Sequence, residues 1–266
     1  MKNKKIAIIG GGNLGQAIAK GIVNSNIVAA SNITVTRRRT HLIQTLKELD
    51  IRISSNNIEA ATDANIIFLA VKPYQIQQVI EEISPYVQKG TIIISLATGI
   101  DALSIEKYFK KELPIFRAMP NTAIAIGESM TCISAHHANQ EQEQIVLTLF
   151  EQVGQALIIP EELMSSATVL AACGIAYALR FIRAATQGGI EIGFGSNLAL
   201  QVAAQTVKGA AELLIKAGTH PEEEIDKVTT PRGVTISGLN EMEHQGFSSA
   251  LIKGVLTSFN KIENGK

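Results

Sequence analysis

The residues of this chain able to do chemistry stand in short groups, and the first is Gly10-Gly11-Gly12-Asn13-Leu14-Gly15. It directly follows the β-rich run Lys5 to Ile9 and leads into Gln16-Ala17-Ile18-Ala19, a helical sequence. Between a strand and a helix, Gly10 allows a tight turn, Gly12 lets the backbone approach a pyrophosphate, and Gly15 lets helix pack closely on strand. A phosphate beside Asn13 and Leu14 would rest on the helix start, where unpaired N–H groups and the dipole favour an anion. Glycine clusters also make ordinary turns, so it is the flanking strand and helix that point to a dinucleotide.

The end of the next β-rich run says which dinucleotide. A carboxylate there would hydrogen-bond the ribose 2′-OH of NAD and repel a 2′-phosphate. Thr36 is instead followed by Arg37, Arg38 and Arg39, and guanidinium groups match a phosphate bidentately. NADPH is the expected cofactor and NADH the alternative, with Arg37 and Arg38 as candidate ligands and at least one of the three arginines facing water. Ala70-Val71-Lys72-Pro73 and Ser95-Leu96-Ala97-Thr98-Gly99 leave two further runs in the same manner. Ligands of doubly wound sheets bind beyond the carboxyl ends of the strands, so Ala70, Val71, Lys72, Pro73, Ala97 and Gly99 are expected to line the cofactor, plain turns being the competing reading.

Two later groups look toward a substrate. Arg117-Ala118-Met119-Pro120-Asn121-Thr122 ends another run and makes Met119, Pro120 and Asn121 a candidate wall, although Asn and Thr are also common turn residues. In Asp226-Lys227-Val228-Thr229-Thr230-Pro231-Arg232-Gly233-Val234-Thr235-Ile236, a proline and a glycine precede a helix carrying Ile236 and Leu239. Consecutive N–H groups near Gly233, Val234 and Thr235 could hold a substrate carboxylate, unless Thr229 or Thr230 caps them. No Ser-His-Asp or Cys-His arrangement is apparent and no metal is expected. His136 and His137 are read as exposed loop, and His41, His220 and His244 lack spaced partners. Cys132 and Cys173 suggest buried free thiols, with neither a disulfide framework nor a zinc site.

The elements that must position these groups follow from the hydrophobic pattern. Lys5 to Ile9, Ile33 to Thr36, Ile66 to Ala70, Thr91 to Ser95 and Ile115 to Ala118 read as strands separated by helix-length segments. Such alternation predicts an α/β fold with a doubly wound parallel sheet over residues 1–160, its strands continuously apolar because both faces are covered. Residues 161–266 are expected to be all helix. Ser196 is the predicted N-cap of a helix reaching Ala217, Gly218 its stop, and Pro221 the start of the next, with Glu222, Glu223 and Glu224 in its first turn. A further helix is expected from Gly233 to Gln245, stopped by Gly246, and a last one from Ser248. So many small apolar residues make a thin core, so a homodimer through this half is expected. The pairs Gly189 with Gly193 and Ala199 with Ala203 would allow close approach at that interface, packing within one chain being the alternative.

Apolar residues at 46% and charged residues at 18% exclude disorder. The 24 basic residues balance the 24 acidic ones, so no global field pulls the chain onto nucleic acid or an anionic membrane, and small molecules are the expected partners. Apolar runs such as Ile66 to Val71 fall short of the ~18 residues a bilayer span needs, and the run ending at Gly10 is too short for a signal peptide, so the expected location is cytoplasmic.

GGGNLG, LAVKP, the MPNT loop and DKVTTPRGVTISGLNEMEHQGF resemble the pyrroline-5-carboxylate reductase family in order and spacing, over nearly the whole chain. The last segment is similar to a Thr-Ser-Pro-Gly-Gly-x-Thr signature, with Thr230 for Ser and Arg232 for the first Gly. The resemblance implies a Rossmann-type N-terminal domain, an interlocking helical dimerisation domain, and larger assemblies of such dimers. It also implies hydride transfer from NADPH to the C=N carbon of 1-pyrroline-5-carboxylate. By resemblance Asn57 and Lys72 neighbour the cofactor, Met119 to Asn121 border the nicotinamide, Gly233 to Thr235 bind substrate, and Thr235 hydrogen-bonds the ring nitrogen as the catalytic residue; Arg232, a departure from the signature, either reaches the substrate carboxylate or crowds the pocket. Ala172-Cys173-Gly174-Ile175-Ala176-Tyr177 stands where the family often has Gly-Ser-Gly-Pro-Ala-Tyr, Arg183 where it has Glu, and Ala123 where it has Pro. A β-hydroxyacid dehydrogenase shares the two-domain plan, but similar enzymes carry a lysine on the long interdomain helix, and Ser165 to Gly195 has none. A non-catalytic NADPH-binding regulator is the reading from a different class.

Overall fold

The structure, a computed structural model, describes residues 1–264. The chain forms two compact units, one comprising Met1–Cys173 with the chain from Lys261 on, the other Gly174–Asn260. The first is built on an eight-stranded sheet: β1 (Ile6–Ile9), β2 (Ile33–Thr36), β3 (Arg52–Ser54), β4 (Ile66–Leu69), β5 (Ile92–Ser95), β6 (Ile115–Met119), β7 (Ser129–His136) and β8 (Gly154–Ile158). Their order is β3-β2-β1-β4-β5-β6-β7-β8, and every neighbouring pair is parallel except β6 with β7. Among the connections run α1 (Asn13–Asn24), α2 (Asn57–Thr62), α3 (Ile76–Ile83), α4 (Ala102–Phe109) and α5 (Gln140–Glu151).

The apolar runs become strands because both faces of the sheet are covered. In β1, Ile6 and Ile8 pack into one buried cluster and Ala7 and Ile9 into another; in β4, Ile66 and Phe68 divide from Ile67 and Leu69 in the same way. Each large side chain so buried stabilises the fold by ~1.5–3 kcal/mol, so a continuous apolar strand is worth more here than an alternating one. The five expected strands are present, with ends shifted by at most one residue. Three more escaped the sequence reading, each for a local reason. β3 is only 3 residues long. β7 is written in small polar residues, and its buried Ser129 and Thr131 face one another at 3.4 Å. β8 leaves Leu157 and Ile158 exposed at the sheet edge.

After β8, α6 (Met164–Ala167) runs into a π-helical turn, Thr168–Cys173. The second unit holds α7 (Gly174–Glu191), α8 (Ser196–Ala217), α9 (Pro221–Val228), α10 (Val234–His244) and most of α11 (Phe247–Glu263). Gly218 ends α8 at φ 67°, Pro221 opens α9, and Glu222, Glu223 and Glu224 occupy its first turn. The N-cap of α8 is Gly195, not Ser196: Ser196 is already helical, and no side chain caps the start. His220 takes the cap of α9, its ring nitrogen accepting from the Glu222 N–H at 3.3 Å. The small residues serve at least partly inside the chain, because a Cβ on Gly189 would stand 3.2 Å from the Ala199 Cβ; for these two residues the alternative expectation, packing within one chain, is met.

Of the α7–α11 residues only Thr186 and Ala199 are buried, while Val234 and Ile215 are 91% and 75% exposed. Two helical stretches, Glu161–Glu191 and Ser196–Ala217, are long and apolar enough to cross a bilayer by length and composition. The sequence reading searched for uninterrupted apolar runs and passed over them, since here alanine, glycine and scattered polar residues dilute the pattern without making it hydrophilic.

Candidate functional site

Where the sheet order reverses, β1 pairs with β2 on one side and β4 on the other, and the loops beyond these strands diverge to leave a crevice. A cleft of about 900 Å³ lies there, lined among others by Gly10, Gly12, Asn13, Leu14, Arg37, Arg38, Asn57, Ala70, Val71, Lys72, Pro73 and Ala97. Gly15 and Gly99, the remaining expected cofactor residues, are not in its wall. Gly15 acts from behind: a Cβ there would stand 2.2 Å from the Gly10 carbonyl oxygen. Gly10 itself sits at φ +113°, with an added Cβ 2.4 Å from the Ala70 carbonyl oxygen. A side chain at either position would force β1, α1 and the β4 loop apart. Gly12, by contrast, has open space within 4 Å and caps α1 with no side chain, so the first-turn N–H groups face the cleft without a competitor.

The arginines divide their work. Arg37 donates from a terminal nitrogen to the Gly11 carbonyl at 2.8 Å and is half-buried, bracing the glycine turn. Arg38 and Arg39 are exposed on the cleft wall. Asn57 is oriented from two sides, its oxygen accepting from the Thr36 hydroxyl at 2.7 Å and its amide donating to Glu82 Oε2 at 3.0 Å. Glu82, on the cleft wall, was not found by sequence reasoning. It lies 25 positions from Asn57 and carries no motif.

At the end of β6, Met119 is buried, and the Thr98 hydroxyl meets its sulfur at 3.9 Å, which ties it to the cleft loop. Asn121 spends its polar atoms locally: the backbone N–H donates to Ser129 Oγ at 3.1 Å, Oδ1 accepts from the Ala123 N–H at 3.0 Å, and Nδ2 donates to the Ala171 carbonyl at 3.2 Å. Behind this end lies a charge that the sequence reading passed over. Arg117, 8% exposed within β6, pairs with Glu161 at 2.7 Å. Glu161 also accepts from the Ser134 hydroxyl and from the Ala102 N–H at 3.3 Å. A single Arg inside Ile115-Phe116-Arg117-Ala118-Met119 was the available signal, because a buried charge must have a partner. Hydrogen bonds from Ser104, with help from the Arg117 and Lys107 charges, outweigh burial and hold the nearby Asp101 carboxyl below its usual range.

In the second unit α10 starts at Val234 with Gly233 as its N-cap, no side-chain cap and no acidic residue in its first turn. The competing expectation of capping by Thr229 or Thr230 is not met, since Thr229 turns its hydroxyl to the Asp226 carbonyl at 3.2 Å. Val234 and Thr235 are exposed. Arg232 occupies φ 60°, a left-handed conformation that favours glycine, which accounts for the glycine that similar sequences carry there. Tyr177 bonds the Ser258 hydroxyl at 2.7 Å, tying α7 to α11, and Arg183 is exposed. The exposed-loop expectation holds for His137, which is exposed in the bend after β7, but not for His136, which closes β7 and is partly buried; both rings meet Glu106.

A family model described as pyrroline-5-carboxylate reductase dimerisation matches residues 161–264, and one described as NADP oxidoreductase, coenzyme F420-dependent, matches residues 5–99. Pyrroline-5-carboxylate reductase 2 of Dictyostelium discoideum is 46% identical over 97% of this chain and 92% of its own length. Pyrroline-5-carboxylate reductase 1 of the same organism is 43% identical over 96% of this chain, which spans about half, 49%, of that protein. A crystal structure of Plasmodium falciparum pyrroline carboxylate reductase with NADP bound is 28% identical and superposes with a TM-score of 0.91, over 99% of this chain and 98% of that one. Sequence and fold thus agree along both units, and the chain belongs to the pyrroline-5-carboxylate reductase family.

Proposed function

We propose that this chain reduces 1-pyrroline-5-carboxylate to L-proline with NADPH, the last step of proline biosynthesis, as a cytoplasmic homodimer. The observation that carries the reading is the cleft at the sheet's switch point, with its uncapped helix start and two exposed arginines, in a chain of this family. The residues fit a dinucleotide: Gly12 leaves room for a pyrophosphate, Gly10 and Gly15 close the turn that presents it, and Arg38 and Arg39 stand beyond β2 where a 2′-phosphate would lie. When bound, NADPH supplies a hydride to the C=N carbon, and the ring nitrogen ends with a proton. The chain's own part is positioning. The N–H groups of Gly233, Val234 and Thr235 hold the substrate carboxylate with Arg232, the Thr235 hydroxyl donates to the ring nitrogen, and Met119, Pro120 and Asn121 shape the wall. Well-oriented reactants gain ~7–11 kcal/mol over a bimolecular encounter, so no strong acid is required.

The exposed apolar surface of α7, α8 and α11 is what a second copy would cover. Cys132 and Cys173 are free as expected but only partly buried, and desolvation pushes the Cys132 thiol up.

Thr235→Ala tests the catalytic assignment. Loss of one hydrogen bond to a developing charge, ~2 kcal/mol, predicts a fall of about 30-fold in kcat with NADPH affinity unchanged; equal turnover removes Thr235 from the mechanism. Arg38→Ala is expected to weaken NADPH by about tenfold and leave NADH unchanged, the value of a charge-assisted phosphate contact. Kd values for both nucleotides check it, and an equal loss for each would place Arg38 away from the 2′-phosphate.

A further inference from the structure

We propose that Glu106, His136 and His137 form a second binding site, for a zinc-class divalent transition metal, at the end of the sheet opposite the cofactor cleft. In the β6–β7 register His136 pairs with Ile115, the first residue of β6, whereas the cleft lies beyond the last residues of the parallel strands. Adjacent residues of a strand point to opposite faces, so two consecutive histidines ordinarily diverge. Here β7 ends at His136, and His137 turns into the left-handed region at φ 52°, which brings the two rings to a centroid distance of 4.0 Å at 58°. That conformation is strained for a non-glycine residue, and it lets the two rings converge on one carboxylate.

Glu106, on α4, meets His136 Nε2 with Oε2 at 3.2 Å and His137 Nε2 with Oε1 at 3.1 Å. The ligand atoms of the three residues all lie within 4.8 Å of one another. Zinc binds such atoms at ~2.0–2.1 Å in tetrahedral geometry, which separates neighbouring donors by about 3.4 Å. Each histidine contact, made to a different oxygen of the carboxylate, is close to that separation, and an ion taking one donor atom from each residue draws the three together from within 4.8 Å. A second carboxylate is within ion-pair range of the other ring nitrogen of His137: Glu112 Oε1 is 4.0 Å from Nδ1, beyond hydrogen-bond distance, and has to draw closer to orient the ring. Two imidazoles and one carboxylate select zinc, nickel or cobalt over magnesium or calcium, and leave a coordination position for water. A metal here staples α4 to the end of β7 and the loop after it, and stabilises the folded chain by mass action.

The probe is Zn²⁺ titrated by calorimetry into the full-length protein saturated with NADPH, with Co²⁺ absorption as the report on geometry. The expected result is one ion per chain and a visible Co²⁺ spectrum of low coordination number, both lost in His136→Asn, His137→Asn and Glu106→Gln. Glu112→Gln is expected to weaken binding by about tenfold, as removal of an orienting partner does. Metal-free variants should turn over as the metal-free parent does, since none of these residues belongs to the cleft. His137 is exposed, so its variant carries the test even if His136→Asn fails to fold. No stoichiometric binding by the parent protein, or binding that survives in His137→Asn and Glu106→Gln, overturns the proposal.

Discussion

Gly15→Val is expected to weaken NADPH binding by about 10²-fold while the helices of the second unit keep their content. The Cβ of any side chain at this position would come within 2.2 Å of the Gly10 carbonyl oxygen, where a carbon and an oxygen need more than 3 Å of separation. Because the obstacle is backbone, no rotamer relieves it, and the start of α1 must move away from the glycine turn. Overpacking of this kind costs roughly 1–3 kcal/mol, and each 1.4 kcal/mol is tenfold in affinity, so the upper end corresponds to about 10²-fold. Displacing the helix start also moves the uncapped N–H groups that face the cleft. Fluorescence titration with NADPH, beside circular dichroism, checks the prediction. Unchanged affinity would mean that phosphate is not seated on this turn.

The second large effect is on stability. Glu161→Ala is expected to destabilise the first unit by about 3 kcal/mol, the lower end of the range for breaking a buried ion pair. The lower end applies because the Glu161 side chain keeps 34% of its surface in water, while that of Arg117 keeps 10%. Without the carboxylate the guanidinium stays inside β6 with no direct ion-pair partner, Asp101 acting on it only through space, and the Ser134 hydroxyl and Ala102 N–H lose their acceptor. Arg117→Met combined with Glu161→Leu should recover most of the loss, since a buried pair replaced by apolar residues is often neutral or better. Denaturant midpoints for the single and double variants form the cycle. A single variant as stable as the parent would show that the pair contributes only geometry.

These two predictions also mark where the sequence was legible. The glycine turn could be read directly because backbone proximity leaves glycine as its signature, and the arginines after Thr36 because a strand end fixes their place. The five buried strands were visible because burial on both faces makes them continuously apolar. β7 and the Arg117–Glu161 pair were not: β7 is written in small polar residues whose hydroxyls meet two positions apart within the strand, and the charges pair across 44 positions, so neither leaves an apolar periodicity. Asn57 was placed by resemblance, but the Glu82 contact that orients it comes from another helix. His136 and His137 looked like solvated loop because adjacency in sequence says nothing of convergence, and only the left-handed turn at His137 brings them together. The start of α10 was read from Pro231 and Gly233, and Gly233 caps it with no side chain; that it seats an anion is part of the proposal.

The central claim is that a hydride passes from NADPH to the imine carbon of a small cyclic substrate. Incubating the protein with 1-pyrroline-5-carboxylate and NADPH carrying deuterium at the reactive nicotinamide carbon tests it most directly. The account predicts one NADPH consumed per proline formed, with deuterium at the ring carbon that adjoins nitrogen and does not bear the carboxylate. NADPH that binds and is never consumed, or proline that forms without the label from either face of the nicotinamide, would contradict it.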